Sequence, residues 1–113
     1  MSTTSNRSRI VLPLPRLLSE RHDMLMSLLA SGWVQVTYRK GAGQVVSRLC
    51  TRNPTLVETY DSRVSLVAIR NSDSDWNATN LCYYDYTRGG IRSFYVEDVI
   101  EVAIPADCPE NCH

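Results

Sequence analysis

The sequence predicts a mainly β fold: a small antiparallel barrel of about five to six strands with one N-terminal amphipathic helix. Three observations lead there. Trp33–Arg39 and Ile91–Val96 alternate apolar and polar residues with the period of a half-buried strand. Each is joined to a neighbouring strand-like run by a glycine-bearing turn, Lys40–Gly43 in one case and Thr87–Gly90 in the other. Only one stretch, Arg16–Ser31, has convincing helical spacing.

In chain order, Met1–Arg9 is polar and rich in Ser and Thr, so residues 1–15 are expected to form a disordered or extended tail. Its extended part is Ile10–Pro15, because each proline biases its predecessor away from helix. A single domain is expected over residues 16–104, followed by a C-terminal tail over 105–113. In the helix, Leu18, Leu25, Leu28 and Leu29 recur on one face, with Gly32 as the stop. That apolar face needs a receiver, and an open end of the barrel is the expected one. Trp33–Thr51 reads as a hairpin, with Val34, Val36 and Tyr38 on one face of its first strand. Asn53-Pro54 breaks the hairpin, and Thr55–Tyr60 is too short to assign beyond one helical turn. Arg63–Ile69 is an expected extra strand, and Asn71–Asn77 an exposed loop.

Leu81–Val102 carries the clearest pattern: a strand, a tight turn at Thr87–Gly90, a second strand, an interruption at Glu97-Asp98, then a last strand. A charged pair between two apolar strand segments fits a one-turn 3₁₀ kink, the usual step before the final strand of SH3-like or Sm-like barrels. Phe94, Val36, Val96, Val99 and Ile100 are expected to form the core.

Two segments carry a resemblance. Cys50-Thr51-Arg52-Asn53-Pro54-Thr55-Leu56-Val57 is similar to a C-T-x-N-P-x-L-I motif. Tyr83-Tyr84-Asp85, then Ile91-Arg92-Ser93-Phe94, then Asp98-Val99-Ile100, is similar to V-W-D, W-R-S-F and D-S-I in the same order. With the preceding hairpin, they resemble the second WYL-type family of small Sm-like β-barrel proteins, found mainly in bacteriophages. The resemblance spans about Gly32–Val102. The family's tryptophans stand here as Tyr84 and Ile91. The resemblance implies a barrel and a phage source, hence a host-cell cytoplasmic setting, and carries no assigned activity.

Composition narrows the chemistry. Formal net charge is zero, so the chain as a whole is not built as a polyanion binder. The four cysteines, Cys50, Cys82, Cys108 and Cys112, read as reduced thiols. Only His22 and His113 are available as bases, so no enzyme and no catalytic residue is expected. Cys108, Cys112 and His113 are donors of the right type for zinc, but a structural site needs four ligands, so no metal and no cofactor are expected. The alternating Asn71, Asp73, Asp75 and Asn77 lack the glycine and closing glutamate of a calcium loop.

Charge is distributed unevenly. Eleven of the twelve basic residues are arginine. The first hairpin region is basic, with Arg39, Lys40, Arg48 and Arg52, whereas Glu97, Asp98, Glu101, Asp107 and Glu110 make the C-terminal part acidic. The expected binding residues are Arg39, Arg48, Arg52, Arg92 and Tyr84: guanidinium forks suit phosphate or carboxylate, and tyrosine suits stacking. The expected function is a non-enzymatic binding or regulatory module acting on a host protein, in regulation or counter-defence, as a monomer or homodimer off the membrane. The alternatives are a nucleic-acid-binding Sm-like barrel and a small-ligand sensor of WYL type.

Overall fold

The computed structural model describes residues 9–61 and 80–105. The expected strand at Arg63–Ile69, the loop at Asn71–Asn77 and the Cys108–His113 donors lie outside those residues. The described chain runs β1 (Arg9–Leu12), α1 (Leu18–Ser31), β2 (Val34–Arg39), β3 (Val45–Thr51), α2 (Pro54–Tyr60), β4 (Asn80–Asp85), β5 (Ile91–Tyr95), a 3₁₀ turn (Val96–Asp98) and β6 (Val99–Pro105). All six strands belong to one antiparallel sheet in the order β1-β6-β2-β3-β4-β5.

The sheet curls into a small barrel. In this order β2 and β5 are three strand spacings apart, about 14 Å on a flat sheet. Yet the rings of Tyr38 on β2 and Phe94 on β5 have centroids 5.2 Å apart, and Phe94 lies 5.3 Å from Tyr83 on β4. The three rings pack inside the curl with Val34, Val36, Cys50, Leu81, Val96, Val99 and Val102. Leu25 and Leu29 of α1 close this core. Leu25 and Leu29 thus bury the expected helix face in the core, whereas Leu18, expected on the same face, is 39% exposed. The expected 3₁₀ kink at Val96–Asp98 is also present.

The strand alternation holds in β2, where Val34, Val36 and Tyr38 are buried and Gln35, Thr37 and Arg39 are not. It fails at Ile100, expected in the core but 44% exposed. The reason is a bulge: Val99 pairs with Tyr38 while Glu101 pairs with Thr37, so Ile100 is an extra residue on β6 and turns outward. The N-terminal stretch read as extended is in part a strand of the sheet. Arg9–Leu12 forms β1, pairing with β6 from Arg9↔Pro105 to Leu12↔Val102.

A second, smaller cluster covers the outer face. Trp33, Val57 and Tyr84 are buried there with Leu49, Leu56 and Ile91 packed against them. Tyr84 and Ile91 are cross-strand partners in the β4–β5 ladder. α2 exists because Asn53 and Pro54 start it. The Asn53 side chain accepts the N–H groups of Thr55 and Leu56, and Pro54 occupies the first turn, where no N–H is missed. Gly32 ends α1 in an extended conformation, its N–H donating to the Leu28 carbonyl at 3.2 Å. Among the described residues, no helix is long and apolar enough to cross a membrane.

Candidate functional site

A pocket of about 430 Å³ lies where β2 ends and β5 runs along the sheet margin. Tyr38, Arg39, Lys40 and Gly41 form one wall, β5 the other, and Arg48, Arg88 and Asp98 complete it. Two hairpin turns fix the walls. Across the first, Lys40 N–H donates to the Gln44 carbonyl and Gly43 N–H to the Lys40 carbonyl, with Gly43 at φ 91°. Across the second, Asp85 N–H donates to the Gly90 carbonyl and Gly89 N–H to the Asp85 carbonyl, with Gly89 and Gly90 at φ values of 76° and 121° that favour glycine.

The electrostatic centre beneath the pocket is Asp85, which is fully buried. Its Oδ1 accepts the Arg88 N–H at 3.1 Å and so helps shape the β4–β5 turn. Its Oδ2 faces two guanidinium groups, with Arg48 Nε at 3.5 Å and Arg92 Nε at 3.2 Å. The alignment is poor for hydrogen bonding, and Arg48 Nε and Asp85 Oδ2 are both buried without a hydrogen-bond partner among the described residues. One carboxylate thus holds two arginines in place by charge. Arg39, Lys40 and Arg88 add three exposed cations around the same cavity. Five cations and the Asp98 carboxylate line the cavity, and Asp85 pairs with two of the five, an excess of positive charge that an incoming anion would relieve.

Three of the five expected binding residues, Arg39, Arg48 and Arg92, come together here. The other two lie elsewhere. Arg52 is 8% exposed, and its Nη1 donates to the Cys82 carbonyl at 2.6 Å, so it braces β4 against the end of β3. Tyr84 is 4% exposed and packs on Trp33 in the outer cluster. Asp85 supplies the counter-charge for Arg48 and Arg92. Sequence reasoning missed Arg88 and Asp85. The signal for both was the Asp-Tyr-Thr-Arg-Gly-Gly run, in which an aspartate ahead of a glycine turn bonds the backbone of the turn.

Of the aromatic residues, Trp33 and Tyr83 are wholly buried, while Tyr86 and Tyr95 are 45% and 54% exposed. Tyr95 lines the pocket. His22 sits on α1 with its Nδ1 3.9 Å from the Asp23 carboxylate. The Cys50 thiol is buried, and burial above all, with the Asp85 charge second, holds its pKa well above the ordinary thiol value, a poor setting for a nucleophile. Among the described residues, no three His, Cys, Asp or Glu side chains gather as a metal site.

No family model matches the sequence, and neither the curated proteins nor the solved structures include a match to it.

Proposed function

We propose that the protein is a non-enzymatic binding and regulatory module, encoded by a bacteriophage and related to the second WYL-type family. In this reading it engages an acidic region of a host protein in the host cytoplasm. The observation that carries the reading is the cavity at the end of β2, lined by Arg39, Lys40, Arg48, Arg88 and Arg92. Two of these are held in place by Asp85, so part of the ordering cost of binding is met before the partner arrives. A neutral chain with one concentrated cationic cleft favours a localised acidic segment over a long polyanion.

Exposed Tyr95 beside the arginines favours a second reading, nucleic acid, because a base can stack on such a ring. One experiment separates the two. The tagged protein and an Arg39→Glu/Arg88→Glu variant are used to capture partners from host lysate, with and without nuclease. The expected result is a protein partner that survives nuclease and is lost with the variant, whose melting temperature stays near wild type. Loss on nuclease treatment would assign the cleft to nucleic acid. Capture unchanged by charge reversal would remove the cleft from either reading.

A further inference from the structure

We propose that the free edge of β5 receives an extended acidic peptide as an added strand, with the peptide's carboxylates meeting the cations of the cleft. This rests on the protein-binding reading and specifies how the partner is held. Among the described residues the sheet ends at β5, which pairs on one side only, with β4. The Asp85 N–H to Gly90 carbonyl bond sets the phase of that ladder. Bonded pairs alternate, so Arg92 and Phe94 face β4 with their backbone groups, while Ile91, Ser93 and Tyr95 turn theirs to the open edge.

The shape of the cleft follows the same edge. All five residues of β5 line it, those of both faces alike, so the cavity runs along the strand margin and does not sit on one face. A five-residue strand is about 16 Å long, room for a short extended segment. Main-chain bonding along a sheet edge supplies affinity without regard to sequence, and flanking side chains supply selectivity. Here the flanks are Arg39 and Lys40 across the cleft and Arg88 and Arg92 on the β4–β5 hairpin. The same charges disfavour a second copy, since full-register antiparallel β5–β5 pairing would set the two copies' Arg92 side chains diagonally across from one another.

The test uses a fluorescent decapeptide of alternating glutamate and valine, with binding read by anisotropy on the full chain. A peptide of the same sequence with every backbone nitrogen methylated keeps every charge and loses its strand donors on both edges. Strand addition predicts that methylation weakens binding about tenfold or more. It also predicts that Ser93→Pro, which removes an edge donor outside the β4 ladder, weakens the unmethylated peptide comparably. The methylated-peptide comparison stands even if Ser93→Pro does not fold. Equal affinity for both peptides would overturn strand addition. If the Arg39→Glu/Arg88→Glu variant still loses its host partner in that event, the binding-module reading survives on its own. A dimer of the wild-type chain in sedimentation, abolished by Ser93→Pro, would give the edge to a second copy and overturn the proposal.

Discussion

The hydroxyls of Tyr38 and Tyr83 stand 3.0 Å apart inside the barrel, joining β2 to β4 past the intervening β3. Each tyrosine also packs on the Phe94 ring, so a polar contact and an aromatic cluster hold the same curvature. Burial pushes the Tyr83 pKa far above the usual phenol range, with Cys50 and Tyr38 adding to it. Cys50 is raised by burial in the same way. Both groups are neutral at low pH, and their folded values lie above the unfolded ones. Their stabilisation is therefore complete below the unfolded pKa values and declines as pH rises. Stability should fall from about pH 8.5, where an unfolded thiol ionises, and more steeply above about pH 10. Urea midpoints measured from pH 7 to 11 check this, and Tyr83→Phe should flatten the upper part of the decline.

Phe94 is 3% exposed at the meeting point of β2, β4 and β5. Phe94→Ala should cost about 3–5 kcal/mol, a large share of the stability of a domain this size. The urea midpoint reports it; an unchanged midpoint would contradict the curled-sheet core.

Asp85→Asn removes the charge shared by Arg48 and Arg92 and leaves the Arg48 guanidinium, 15% exposed, without its counter-ion. The expected loss is about 3–5 kcal/mol, as for breaking a buried ion pair. Arg92→Ala should cost much less, because that side chain is 43% exposed and solvent can replace its partner. Thermal melts of the two variants, side by side, test the asymmetry.

Two arginines that look alike in sequence should behave differently. Arg52→Ala breaks a bond from a buried guanidinium to the Cys82 carbonyl and should cost about 1.5–3 kcal/mol. Arg39→Ala, on an exposed rim, should stay within about 0.5 kcal/mol of wild type. Charge reversal at Arg48 together with Arg52 would consequently report on folding, and reversal at Arg39 with Arg88 on binding.

The fold was legible wherever period and turn chemistry agreed. Val34, Val36 and Tyr38 pointed inward as their alternation required, and the glycine turns fell between the paired strands. Ile100 was misread because a bulge changes the phase of β6 by pairing geometry, which leaves no mark in hydrophobicity. β1 was read as tail because four residues without a partner in view carry little periodicity. The site was half legible. Clustered basic residues gave Arg39, Arg48 and Arg92, but the burial of Arg52 and Tyr84 depends on what α2 and the outer cluster cover. Asp85 was hidden because sequence charge counts do not reveal which acid lies under a basic surface.

The stretch Thr51–Asn53 ties the two helices to one another. The Thr51 hydroxyl and the Arg52 N–H both donate to the Leu29 carbonyl, and the Asn53 amide donates to the Ala30 carbonyl, at the end of α1. The Oδ1 of the same Asn53 side chain accepts the Thr55 and Leu56 N–H groups and starts α2. Carbonyls that a helix end ordinarily leaves to water are thus held by the residues that launch the next helix. Neither helix can fray at this junction without loosening the other, so the two should open as one cooperative unit with the end of β3. Truncating Asn53 would act at a distance in sequence: the last turn of α1, more than twenty residues upstream, would lose protection together with α2.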